Sequence, residues 1–192
     1  PLTCESAEIK SSELVKLESR PGVKLKFILI KPTNPVASVI LIEGGVGVLQ
    51  LGSAFGKPTV GRGKGFLSRK RKEFAESGLI VALVDKPSDR EKVYSKFRMS
   101  SEHAKDLQAV VSHLRSEADV PIWLVGMSMG TFSAPNAAIR LKEEVDGLVL
   151  VSSVTLSDKR WKLTYPTHPN AILDMDLDQI IVPTLIIHHR ED

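Results

Sequence analysis

The chain has 192 residues, 42% hydrophobic and 26% charged, the balance of one globular domain with a sizeable core. Its net charge of +3, with acids and bases mixed along the sequence, is too small for a nucleic-acid binder, and no apolar run approaches the roughly 20 residues of a membrane span. One cysteine, Cys4, excludes an internal disulfide and any cysteine-based metal site.

The first eleven residues are polar and read as a loose terminus. The sequence opens on Pro1 rather than Met, which a cleaved export signal or a trimmed start would explain, so an exported location is favoured over a cytoplasmic one. Leu14, Val15 and Leu17 make a weak strand, and Arg20-Pro21-Gly22 a turn. Val23, Leu25, Phe27 and Leu29 then alternate with Lys24 and Lys26. Two strands so placed predict an antiparallel hairpin at a sheet edge.

Ala37 to Ile42 is apolar apart from Ser38 and rich in β-branched residues, the pattern of a central strand. It ends in Glu43-Gly44-Gly45-Val46-Gly47, and residues 48–65 read as a long loop. Gly61-Arg62-Gly63-Lys64-Gly65 lacks the G-x-x-x-x-G-K-[ST] pattern and no strand leads into it, so a phosphate loop is rejected. Gly45-Val46-Gly47 fails as a dinucleotide fingerprint, because Gln50 holds the third glycine's place. The bases from Arg62 to Lys72 are assigned to a solvated face.

Phe66 to Ser77 predicts a helix with Phe66, Leu67 and Phe74 inward, stopped by Gly78. Leu79 to Val84 is a second fully apolar strand. Ser100 or Ser101 caps a helix running to about Ala118, with Leu107, Val110, Val111 and Leu114 as its buried stripe. His103 and His113 on that helix are expected at its surface or boundary. Gly147 to Val151 and Ile180 to Ile187 complete the strands. Alternation of strands and helices after residue 36 predicts an α/β fold with a mostly parallel sheet and helices on both faces.

The most informative stretch is Pro121 to Leu141. Ile122 to Val125 reads as a buried strand, Gly126-Met127-Ser128-Met129-Gly130 as a tight turn, and Ala134, Ala137, Ala138, Ile139 and Leu141 as recurring at helical spacing. This is G-x-S-x-G between a strand and a helix. The turn lifts the hydroxyl of Ser128 above the sheet edge, small neighbours let strand and helix approach, and the helix N-terminus faces developing negative charge. The N–H of Met129 is then one candidate oxyanion donor.

With the strand end Ile42-Glu43-Gly44-Gly45 and the terminal Pro183-Thr184-Leu185-Ile186-Ile187-His188-His189-Arg190-Glu191-Asp192, this motif resembles the α/β-hydrolase family over about residues 24–192. The resemblance implies one α/β-hydrolase domain over residues 1–192, with residues 154–175 and their aromatics Trp161 and Tyr165 as a possible lid. It implies Ser128 as nucleophile and Gly44 and Gly45 as further oxyanion donors. Asp192 is the implied acid, with Glu191 the near alternative and Asp158 a remote one. Glu43 stands where the family often has His, so its carboxylate is expected to point away from the oxyanion.

Family order calls for a His after the acid, and the printed sequence has nothing beyond Asp192. The base is therefore expected beyond the printed end, with His168 as the one weighed alternative. His188 and His189 lie on the acid's own strand, poorly placed to bridge it to Ser128. The implied activity is hydrolysis of an ester or related acyl bond of a small molecule, through an acyl-enzyme and with neither metal nor organic cofactor. Two other readings stay open: a non-catalytic binding protein of the same fold, favoured by Glu43 and the absent base, and a phosphate or nucleic-acid binder using residues 61–72.

Overall fold

The computed structural model describes residues 6–62, 65–156 and 169–190. Cys4, Gly63, Lys64, Asp158, Trp161, Tyr165, His168, Glu191 and Asp192 lie outside the described residues.

Among the described residues, seven strands form the main sheet: β1 (Ile9–Arg20), β2 (Val23–Pro32), β3 (Ala37–Ile42), β6 (Leu79–Val84), β7 (Ile122–Met127), β8 (Gly147–Val151) and β9 (Thr184–Ile187). A two-stranded ribbon, β4 (Leu51–Ala54) and β5 (Lys57–Val60), stands apart. The helices are α1 (Phe66–Glu76), the single turn α2 (Ser95–Arg98), α3 (Ser101–Glu117) and α4 (Gly130–Leu141). Order in the sheet is β1-β2-β6-β3-β7-β8-β9. The β1–β2 hairpin and the β2–β6 pair are antiparallel, and every later pair is parallel. The expected edge hairpin and mostly parallel sheet are both present.

Connectivity positions the site. From β3 the chain passes through α1 to β6 on one side, and from β6 through α3 to β7 on the other side of β3. Right-handed crossovers in opposite directions put α1 and α3 on opposite faces. One core joins α3 and α4 to the sheet through Leu107, Val111, Leu114, Ala134 and Ala138 against Phe27, Ile40 and Leu124. The other joins α1 through Leu67 and Ala75 to Ile28, Leu41, Val81 and Leu83. Strand order reverses between β3 and β7, so the loops leaving their carboxyl ends diverge and open a crevice.

Several expectations need correction. Ile9 to Ser11 belong to β1, because the strand pairs along nearly all of β2. Residues 48–65 are not a bare loop: β4 and β5 meet at Phe55 and Gly56, with φ of 50° and 74°. Phe66 is 43% exposed rather than inward, since it opens the first turn of α1 beside the crevice. β9 begins only at Thr184, because a 3₁₀ turn at Leu177–Gln179 and then Pro183, which has no N–H to give, precede it. His103, expected near the surface, is 4% exposed, whereas His113 is half-buried.

Candidate active site

Ser128 sits between β7 and α4 with φ at 51°, left-handed backbone that a non-glycine residue adopts only when its surroundings force it. Three contacts do so. Its N–H donates to the Val151 carbonyl at 2.9 Å, tying the turn to β8. Its carbonyl accepts from the Thr131 N–H at 2.8 Å and from Thr131 Oγ1 at 2.6 Å, which starts α4. Gly126 and Gly130 provide the space: a Cβ on Gly130 would stand 2.2 Å from the Ile42 carbonyl oxygen, and one on Gly126 would stand 2.6 Å from the Gly130 oxygen.

The loop after β3 meets this turn directly. A Cβ on Gly44 would lie 2.9 Å from Ser128 Cβ and 3.3 Å from its Oγ, so only hydrogen fits there. Gly45 follows with φ at 56° and open space around it. The structure thus brings Ser128, Met129, Gly44 and Gly45 to one place, at the mouth of the crevice. Met129 precedes the first turn of α4, its side chain buried with Phe132, Val154 and Ala171. A cleft of about 380 Å³ opens beside them, walled by Val46, Val48, Leu49, Phe66 and Met127, with Arg62 at its side. Asp85 holds that wall from below, its carboxylate accepting from the Leu49 and Leu51 N–H groups at 2.8 Å each.

Glu43 is 8% exposed, and its Oε1 accepts from the Ser68 N–H at 2.6 Å. It lies against Gly65, immediately before α1. A carboxylate from a distant strand therefore caps the first turn of α1, where the helix dipole favours it.

Beneath the loop lies a group the sequence reading did not anticipate. Arg98 is 1% exposed. Its Nε donates to the Val93 carbonyl at 3.0 Å, and its Nη1 to Ser133 Oγ at 2.9 Å. Its Nη2 donates to the carbonyls of Glu43 at 3.1 Å and Gly45 at 3.3 Å. Burial draws this guanidinium down to about 10 against the opposing pull of Glu43, so it stays charged at neutral pH. His103 Nε2 lies 2.9 Å from Ser133 Oγ, and burial, helped by the Arg98 and Arg20 cations, pushes the imidazole down to about 3. Arg98 sits in a one-turn helix that has no apolar period to reveal it.

The imidazoles stand as follows. His103 is committed to Ser133, and His113 packs edge-on to Phe27. His188 follows β9, its Nε2 accepting from the Ser153 N–H at 3.2 Å. Among the described residues no imidazole is hydrogen-bonded to Ser128, and no three or more His, Cys, Asp or Glu side chains gather as metal ligands. A larger apolar groove of about 490 Å³, between α1 and β9, is lined by Trp123, Val125, Val149, Leu185 and Ile187 and brings no polar groups together. No described helix is long and apolar enough to cross a membrane.

No family model matches the sequence, and no curated protein matches it. Solved structures do match in fold. The α/β hydrolase GrgF from Penicillium sp. sh18 is 17% identical, with a TM-score of 0.57 over 77% of this chain and 47% of that one. Pyrococcus furiosus esterase Pf2001 is 18% identical, with a TM-score of 0.57 over 76% of this chain and 50% of that one. Brefeldin A esterase, a bacterial homologue of human hormone-sensitive lipase, is 12% identical, with a TM-score of 0.54 over 80% of this chain and 42% of that one. The chain thus spans about half the length of the structures it matches. Sheet order, edge hairpin, the turn at Ser128 and these similarities agree: the chain has the α/β-hydrolase fold.

Proposed function

We propose that the chain is a serine hydrolase acting on an ester or related acyl bond of a small molecule, through an acyl-enzyme on Ser128. The observation that carries this reading is Ser128 held at φ 51° against Gly44, at the crevice where strand order reverses. The hydroxyl gives its proton to a base as its oxygen bonds to the acyl carbon; the ester C–O bond then breaks, the alcohol leaves with that proton, and water cleaves the acyl-enzyme. The N–H of Met129 and an N–H of the Gly44-Gly45 loop receive the charge that grows on the carbonyl oxygen. Two of the similar solved proteins are named as esterases, which supports an ester over other acyl bonds. The apolar wall of Val46, Val48, Leu49 and Phe66 suits an uncharged acyl or alcohol group.

A serine hydroxyl needs a base and a group that orients it. By family order, Asp192 is our proposed acid. A carboxylate at Glu43 is no obstacle to this chemistry, because it is engaged at α1. Labelling with a fluorophosphonate probe tests the reading. Wild-type protein should label at Ser128, and Ser128→Ala should lose the label together with about 10³-fold or more of p-nitrophenyl ester turnover. A folded wild-type chain that never labels would favour the non-catalytic binding protein.

A further inference from the structure

We infer that Arg98 is a positioning residue for the oxyanion loop: its buried guanidinium fixes the peptide planes whose N–H groups face the Ser128 crevice. The inference rests on the serine-hydrolase reading for its kinetic consequence, and on geometry alone for the positioning itself.

The loop from Glu43 to Gly47 contains three glycines and pairs with no strand beyond Ile42. Left to itself it has many backbone conformations of similar energy. Arg98 reduces them. Nη2 donates to the carbonyl oxygens of both Glu43 and Gly45. In a trans peptide the N–H points opposite to the C=O. Holding the Glu43 carbonyl therefore aims the Gly44 N–H away from Arg98, and holding the Gly45 carbonyl does the same for Val46. The Val93 N–H, from the segment that also bonds Arg98, donates to the Val46 carbonyl at 2.8 Å and fixes the next plane. Gly47 closes the arrangement: a Cβ there would come within 2.9 Å of Arg98 Nη2.

The guanidinium is itself rigidly held. Nε is taken by Val93 and Nη1 by Ser133 on α4, the helix that starts at the Ser128 turn. Asn136 Nδ2 donates to the Arg98 carbonyl at 3.0 Å and to the Ser100 carbonyl at 2.8 Å, fixing the backbone that carries it. One cation thus links the glycine loop to the helix behind the serine. All its hydrogen-bond acceptors are uncharged, and the Glu43 carboxylate acts on it only through space, so the guanidinium is held by the loop and α4 rather than by a direct ion pair. A lysine keeps the charge but is a point donor on a flexible stem, without the planar fork that reaches all four acceptors.

The test compares full-chain wild type with Arg98→Lys and, from the loop side, Gly47→Ala. Each is checked for folding by circular dichroism and assayed with p-nitrophenyl acetate. Positioning predicts that kcat falls on the order of 100-fold while KM stays within about twofold, because the lost alignment matters only in the transition state. Backbone amide exchange is read in parallel. The Gly47 and Val93 amides, which donate to the Gly44 and Val46 carbonyls, should exchange at least about tenfold faster in Arg98→Lys, while β3 and β7 amides keep wild-type protection. A folded Arg98→Lys protein with unchanged kcat and loop exchange would overturn the inference, as would a loss confined to KM. If Arg98→Lys does not fold, Gly47→Ala decides on the same two readouts. If wild type neither turns over ester nor labels at Ser128, the hydrolase reading fails, and loop exchange alone decides whether Arg98 positions the loop.

Discussion

Gly130 and His103 show how single residues near Ser128 carry consequences beyond their size. Gly130 packs on the carbonyl of Ile42, so the start of α4 touches the end of β3. Gly130→Ala would push backbone against backbone, with no flexible side chain to yield. We expect a loss of roughly 1–3 kcal/mol, seen as a melting temperature lower by about 2–4 °C for each kcal/mol. A variant as stable as wild type would mean that β3 and α4 separate more easily than their contact suggests. His103 acts through protonation. The unfolded chain protonates it near the ordinary 6.5, while the folded imidazole stays neutral down to about 3. Between these values the unfolded state binds the extra proton, so acidification lowers stability by up to about 1.4 kcal/mol per pH unit. Above the ordinary value both states are neutral and the effect vanishes. Denaturant unfolding of His103→Gln from pH 7 to pH 4 should show a shallower loss of stability than wild type, and equal slopes would contradict the assignment. The burial was not legible in the sequence, because a single His on an amphipathic helix carries no mark of the Arg98–Ser133 group it joins.

Among the elements, β8 and β9 are parallel neighbours with opposite surroundings. Leu148 in β8 is fully buried under α4, whereas Leu185 in β9 is 53% exposed, in company with Ile186 and Ile187. Leu148→Ala should cost about 2–5 kcal/mol in urea unfolding, and Leu185→Ala no more than about 0.5 kcal/mol. Comparable costs would show that Leu185 has a covering partner. Strands of this kind were the most legible parts of the sequence. Apart from Ser38, Ala37 to Ile42, Leu79 to Val84 and Ile122 to Val125 are apolar on both faces because helices or further chain cover both. Boundaries were less legible where a local break outweighs composition, as in Ile180 to Pro183, which is apolar yet lies outside β9. The β4–β5 ribbon escaped notice because its strands are only four residues long and its turn, Phe55-Gly56, is not a strong hairpin sequence.

At the scale of the whole molecule, the sheet and crevice follow from the alternation of strands and helices, which the sequence displays directly. The polar underside of the crevice does not. Arg98 donates to residues 43, 45, 93 and 133, and only the folded topology brings these together. Hydrophobic period reports which face a residue shows, whereas long-range polar pairing has no period to report. The G-x-S-x-G turn was legible for the opposite reason, being a wholly local demand of backbone geometry.

The strand order also has a consequence for synthesis of the chain. β2 leaves the ribosome just after β1 and pairs with it at once, but its other neighbour is β6, whose last residue follows about 50 residues later. β3, next in sequence, does not pair with β2. At roughly 5–20 residues per second, the inner edge of β2 waits about 3–10 s with Phe27, Ile28 and Leu29 unpartnered. An edge this apolar is open to pairing with another nascent chain for as long as it waits. Translational pausing between Pro32 and Leu79 would prolong that interval, and pausing after Val84 would not.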